Sequence, residues 1–259
     1  MKISFTTMAT PELDIAAQVN VAKEYGFDGV DLRVIEKGKG EISRDMSAAD
    51  ADVILRTTQG VILSSLLCYN EKIQSGYDSM VESLLEYMGL AACLHIPAIR
   101  IFTGKLDSAE DMNDLVQVLN TVLQKDVSGT KIAMQNHVNC SVTLHQALDV
   151  CQKVNDPRIK MILSPDQAVA IGEEFESLLP QLAKHVSQLY VADLDKYNKH
   201  VLLGHGNIPY HRILNTLSEN GFDGYVTLKW EKCWHPELPP YEKAFQAFLA
   251  WINDVHSID

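Results

Sequence analysis

Tyr225-Val226-Thr227-Leu228-Lys229-Trp230-Glu231-Lys232-Cys233-Trp234-His235-Pro236-Glu237 decides how the rest of this 259-residue chain is read. The stretch follows a turn sequence, Asn220-Gly221-Phe222-Asp223-Gly224, and starts as a short alternating strand. It then runs without a break into a cation, an indole and a carboxylate at Lys229, Trp230 and Glu231. A strand that begins apolar and ends in such groups carries its chemistry at its C-terminal tip, which in an α/β barrel is the mouth.

Upstream the same beat repeats. Lys2–Thr6 reads as a strand, and Pro11–Tyr25 as a helix with Thr10 at the N-cap and proline at the first helical position. Further strands are expected at Val30–Val34, Val61–Leu66, Ala98–Phe102, Lys131–Gln135, Lys160–Leu163, Gln188–Ala192 and Tyr225–Lys229. Helical periodicity covers Ser47–Thr58, Ser75–Leu94, Ser108–Asp126, Val142–Val154, Glu173–His185, Pro209–Asn220 and Tyr241–Val255, with a Gly- and Lys-rich loop around Gly38 and Gly40. Eight strand–helix units in a chain of this length predict one domain, residues 1–259, folded as a single (β/α)8 TIM barrel. A doubly wound open sheet is the alternative, but no G-x-G-x-x-G follows the first strand and no P-loop occurs.

The formal net charge of −12 argues against nucleic acid as a partner, because phosphate binding relies on a positive surface. No apolar run is long enough to span a membrane, and Met1-Lys2-Ile3-Ser4-Phe5 does not read as a signal peptide. The five cysteines, Cys68, Cys93, Cys140, Cys151 and Cys233, are odd in number with no C-x-x-C pair, so reduced and mostly buried thiols in a cytoplasmic protein are expected.

The strand ends bring an unusual set of polar groups to one rim. Arg33 ends the second strand, Arg100 stands on the fourth, and Gln135-Asn136-His137 end the fifth. Asp166 follows the sixth, Tyr190 and Asp193 end the seventh, and Lys229, Trp230 and Glu231 end the eighth. Each has an ordinary structural explanation taken singly: Asp193 as a turn residue, His137 as a core imidazole, Trp230 as packing, the arginines as partners of nearby acids. Their convergence on one face carries the argument for a site.

The late strands resemble the xylose isomerase-like barrels, the group of sugar-phosphate isomerases, epimerases and endonuclease IV-type enzymes. The motifs are Gln135-Asn136-His137 where members read E-N-H, Asp166 after the sixth strand, and Tyr190-Val191-Ala192-Asp193 where members read H-x-K-D. Gly204-His205-Gly206, Gly221-Phe222-Asp223-Gly224 and the closing K-W-E-K-C-W-H-P-E from Lys229 to Glu237 complete the likeness. The resemblance implies a divalent ion held by Glu, Asp, His and Glu, and those positions fall on Gln135, Asp166, Tyr190 and Lys229.

Only the aspartate survives. Two unit charges about 4 Å apart interact by roughly 4 kcal/mol at an effective dielectric near 20, so a dication beside protonated Lys229 meets a repulsion on the order of 8 kcal/mol. A protonated lysine also offers no lone pair to a metal. No cofactor is therefore expected, and a divalent metal only if Lys229 is carbamylated or displaced. The Lys229 ammonium is expected to take the ion's place, pairing with Asp166 and donating to Gln135 and the Tyr190 oxygen.

Two functions remain open from the resemblance. One is an isomerase or epimerase acting on a small sugar or sugar phosphate. In it Lys229, Asp166 and Glu231 do the chemistry, with Lys229 as electrophile or as a base if burial lowers its pKa. Gln135, His137, Tyr190, Arg33, Arg100, Asp193, Trp230 and His205 then bind substrate, and Trp230 or Trp234 stacks on a sugar face. A Schiff base on Lys229 is a bolder variant. The other is a non-catalytic member that binds sugar or regulates a partner. Barrels of this kind often pair as homodimers, and no residue pattern here fixes an interface.

Overall fold

Strands such as Val30-Asp31-Leu32, buried on both faces, need cover on both sides, and a sheet closed on itself inside a ring of helices supplies it. The computed structural model describes residues 1–34 and 42–258, so the loop expected around Gly38 and Gly40 lies outside the described residues. In chain order the strands are β1 (Lys2–Thr6), β2 (Gly29–Arg33), β3 (Ile62–Leu67), β4 (Ala98–Ile101), β5 (Lys131–Gln135), β6 (Ile159–Leu163) and β7 (Val186–Val191). They continue with the short β8 (Asp193–Leu194) and β9 (His200–Val201) and end with β10 (Tyr225–Leu228). All but β8 and β9 run parallel in one closed barrel, sealed where β1 pairs with both β10 and β2. The closed order excludes the open-sheet alternative.

The outer layer is α1 (Ile15–Tyr25), α2 (Ala48–Thr57), α3 (Tyr77–Cys93), α4 (Ala109–Lys125), α5 (Leu144–Val154), α6 (Pro165–Ala170), α7 (Leu179–Leu182), α8 (Tyr210–Glu219) and α9 (Tyr241–Ile258). None of the described helices is long and apolar enough to cross a membrane. Ser47, Ser108 and Thr143 open α2, α4 and α5 with reciprocal capping boxes to Asp50, Asp111 and Gln146, each satisfying two backbone donors that would otherwise be orphaned.

Two segments and the burial of the cysteines depart from the sequence reading. Thr10 does not cap α1: Thr7–Ala9 form a 3-10 turn closed by the Thr10 amide, and Asp14, whose carboxylate accepts from the Ala17 amide, is the cap. The helix expected over Glu173–His185 is a 3-10 turn, Glu176–Leu178, followed by the single turn α7. Its place beside β6 is partly taken by α6, where Pro165 and Asp166 form the first turn. Cys68 and Cys151 are buried, whereas Cys93 is exposed and Cys140 and Cys233 are half-buried, so most of the thiols are not in the core.

Inside the barrel a polar network joins neighbouring strands. Ser4 and Thr227 share a 2.7 Å hydrogen bond, and Gln188 donates to Thr227 and to Asp31. Asp31 accepts also from Ser64 at 2.6 Å and from the Tyr190 hydroxyl at 2.8 Å. Burial pushes the Asp31 carboxyl up to about 6, with the donors of Ser64, Tyr190 and Gln188 and the charge of Arg100 opposing the rise.

A carboxyl that ionises near 6 in the folded chain and at its ordinary value when unfolded holds a proton in the native state that the unfolded state releases. Stability contributed by Asp31 therefore falls as pH rises from about 4 to about 6, by up to about 3 kcal/mol. Urea unfolding across this range is expected to show the slope in the native chain and to lose it in Asp31→Asn.

Candidate functional site

The two-residue pleat of β10 decides what reaches the mouth. Thr227 turns into the barrel network, so Lys229 and Glu231, two and four residues on, face the same way, while Trp230 faces the helices. The strand pairing continues one residue past β10, since the Lys229 amide donates to the Val191 carbonyl at 2.9 Å. Lys229 is 1% exposed and its ammonium lies 2.7 Å from Asp166 Oδ2 and 3.8 Å from Glu231 Oε2.

Asp166 is presented by the first turn of α6, after two hydrogen bonds between Asn136 and the Ser164 backbone tie the ends of β5 and β6 together. Its Oδ2 accepts from Lys229 and from Gln167, while its buried Oδ1 has no hydrogen-bond partner among the described residues. Burial pushes the Lys229 pKa down, but the charges of Asp166 and Glu231 outweigh it and hold the group above its ordinary value. The protonated amine is thereby favoured, the opposite of the lowered pKa that the roles of general base and Schiff-base nucleophile considered from the sequence require. Burial likewise pushes Glu231 up, and Lys229, with the His200 hydrogen bond, brings it down to about 2.

Above this pair lies a cavity of about 330 Å³ at the C-terminal mouth. Gln135, His137, Glu231 and Arg100 give its polar wall, and Met8, Tyr69, Phe102, Trp234 and His235 the rest. A larger depression of about 760 Å³ lies against α2 and α3 on the outer wall and is lined by none of the strand-tip residues named above. Arg100 is held in place by the ring of Phe102 at 4.1 Å, that of Tyr69 at 5.3 Å, and the Cys68 carbonyl, to which Nη1 donates at 3.1 Å. Burial first, then the charge of Lys229, lowers His137 to about 4, so its imidazole is neutral in the physiological range. Its Nδ1 lies 3.2 Å from Cys140 Sγ.

Several expected contacts are not made. Tyr190 donates to Asp31 within the barrel and Gln135 donates to Ser164 Oγ at 3.2 Å, while the Lys229 ammonium donates to Asp166 and to neither of them. Trp230 is buried packing whose Nε1 donates to the Pro239 carbonyl, and Trp234, 58% exposed and stacked over Arg33 at 5.7 Å, is the indole on the cavity. Asp193 is spent on the backbone, accepting from the amides of Leu194, Gly204, Gly206 and Ile208. His205 is exposed on that same loop and does not line the cavity.

Two residues escaped the sequence reading. His200 arrives on the β8–β9 hairpin, which Asp193 anchors, and its Nε2 lies 3.2 Å from Glu231 Oε2. His235 is folded back by one helical turn in which the amides of Trp234 and His235 both donate to the Glu231 carbonyl. The four-residue spacing of Glu231 and His235 was the available signal for the second; nothing in the sequence announced the first.

A model of the xylose isomerase-like TIM barrel family matches residues 19–254. An inosose isomerase of Halalkalibacterium halodurans is 23% identical over 247 residues, covering 88% of this chain and 87% of that protein. The crystal structure of the IOLI protein with a bound zinc atom superposes with a TM-score of 0.79 at 21% identity, over 98% of both chains. That of the 3-keto-D-glucoside 4-epimerase YcjR from E. coli, in its apo form, gives 0.74 at 14% identity, over 98% of this chain and 99% of that one. At these identities the structural likenesses speak for the fold.

Two substitutions probe the architecture. Lys229→Met strands a buried carboxylate and is expected to cost about 3–5 kcal/mol in urea unfolding, most of it recovered in Lys229→Met/Asp166→Leu. A Cβ on Gly206 would meet Asp193 Oδ1 at 2.1 Å and the Leu194 carbonyl at 2.5 Å. Gly206→Ala is therefore expected to lower the melting temperature and to speed amide exchange at Gly204 and Ile208.

Proposed function

This chain belongs to the xylose isomerase-like TIM barrel family, and from that premise we propose that it moves a proton at the carbon beside the carbonyl of a small, uncharged keto sugar or cyclic polyhydroxy ketone. The observation that carries the reading is the cavity over Glu231 and His137, of a size at the lower end of small-molecule sites. Two of the similar proteins, an inosose isomerase and a 3-keto-glucoside epimerase, have names that fit a ring or sugar ketone.

In this reading Glu231 accepts the proton and neutral His137 polarises the ketone oxygen. A carboxylate with a pKa of about 2 is a poor base while its charge is matched by Lys229. Charge leaves Glu231 as the proton arrives and appears on the enediolate oxygen, still within the field of the same ammonium. Lys229 thus acts from beneath the cavity, by its field and without contact. Tyr69, Phe102 and Trp234 give the sugar ring apolar faces to lie on.

The ion that the family resemblance implies does not fit the four equivalent positions. Gln135 and Tyr190 are engaged elsewhere, Asp166 is bound by an ammonium at 2.7 Å, and that ammonium repels a dication. We take Lys229 to stand where the ion would, keeping one positive charge under the substrate. Phosphorylated sugars suit the site less well: of the described residues lining the cavity Arg100 is the one fixed cation, and the carboxylate of Glu231 lines the same cavity. A cytoplasmic location belongs to the same reading, on the odd number and wide spacing of the five cysteines.

Incubation in D2O with ketoses, ketose phosphates, keto-glucosides and cyclic polyhydroxy ketones, read by loss of the proton NMR signal beside the carbonyl, tests the reaction. Exchange is expected with an unphosphorylated member and is expected to fall by about 10²–10⁴ in Glu231→Gln. Binding of such a ketone without exchange in the native chain would leave a sugar-binding protein in place of an enzyme.

A further inference from the structure

Beside the ammonium, on the outer rim of the same mouth, stands a group of side chains with a different chemistry. His200 Nε2 and Glu231 Oε2 are 3.2 Å apart, and one ligand atom from each of His200, Glu231 and His235 lies within 4.8 Å of the others. The two imidazole rings are 5.2 Å apart between centroids. We propose that His200, Glu231 and His235 form a binding site for a single transition-metal dication of the zinc, cobalt or iron(II) type, displaced from the four strand-end positions that the family resemblance points to.

Geometry supports the assignment. Metal–ligand distances of about 2.0–2.2 Å in a tetrahedral site set ligand atoms about 3.3–3.5 Å apart. The His200–Glu231 edge is already that length, and His235, half-exposed at the surface, needs only a small rotation to close the other two. His235 Nδ1 lies 3.4 Å from Glu237 Oε1, the carboxylate–imidazole arrangement that orients a ligating histidine from outside. Three protein ligands leave a further position open. Two nitrogens and one carboxylate select a borderline transition metal over magnesium or calcium, which take oxygen.

Lys229 stands only 3.8 Å from Glu231 Oε2, and a bare ammonium there would oppose the ion. Its charge is balanced in part by Asp166 at 2.7 Å, and an ion on the rim, unlike one at the strand-end positions, need not displace the ammonium from that carboxylate. Both contacts of Glu231, to Lys229 and His200, run through Oε2, so ligation needs only the oxygen already turned to that side. Glu231 is shared with the proton-transfer reading, where a bound ion would compete for its Oε2, but ion binding is read directly and so fails or succeeds separately from turnover.

Cobalt(II) titration of the chelator-treated full chain, followed by the visible absorption bands of low-coordinate cobalt and by displacement with zinc, provides the test. One equivalent is expected to bind with a micromolar or lower Kd, and His200→Ala and His235→Ala are each expected to weaken it at least tenfold. Glu237→Gln, which acts only through His235, should weaken it by a smaller factor. Thermal melting shows that each variant is folded. Binding no tighter than millimolar in the native chain would overturn the site. Binding that survives both histidine substitutions but is lost in Asp166→Asn would return the ion to the family position and overturn it equally.

Discussion

An ammonium and a carboxylate, each 1% exposed and 2.7 Å apart, set the terms for everything at the mouth of this barrel. Taking two such ions out of water costs several kcal/mol for each, and their mutual attraction returns that only when the geometry is good. Lys229, the first residue past β10, and Asp166, in the first turn of α6, close to 2.7 Å with Gln167 as a second donor to the same oxygen, while Asp166 Oδ1 is left without a partner among the described residues. The pair then acts on its neighbours. The ammonium keeps Glu231 ionised and helps keep His137 neutral, so one acceptor and one neutral donor face the same cavity.

The barrel itself was legible because its evidence is local and repeated. Alternation, glycine at turns and capping residues bound each strand and helix, and the observed strands lie within a residue or two of those expected. The departures occur where local signals compete. Thr10 and Asp14 are both capping types four residues apart, and only the 3-10 turn over Thr7–Ala9 decides between them. Glu173–His185 has helical periodicity, yet α6 and the turn at Glu176–Leu178 use the space before a long helix can form.

The site was legible in its strand-tip residues and opaque in its contacts. Lys229 facing Asp166 follows from barrel closure, which brings the ends of β10 and β6, with β7 between them, to one rim. Tyr190 is different: its hydroxyl has a choice between the mouth and the interior, and Asp31, a buried carboxylate across the barrel, outbids anything above it. The sequence position of Asp31 says nothing of that depth. His200 was hidden for a related reason. A hairpin held by four backbone amides on Asp193 carries it to Glu231, and such long-range closure leaves no periodic trace.

Charge balance ties these observations together. In the set that the resemblance implies, a dication answers three carboxylates and leaves one net negative charge. Here Gln135 and Tyr190 are neutral and Lys229 answers Asp166, so the same four positions balance to zero with no ion at all. Glu231 then supplies the single negative charge, one pleat further out and open to the cavity. The mouth has a cation below and an anion beside the cavity, with the anion nearer solvent than the four strand-end positions. There the nearest groups able to share it are His200 and His235. In the metal site proposed above, affinity for an ion is centred on Glu231 and not on the strand-end positions, where the ammonium holds Asp166.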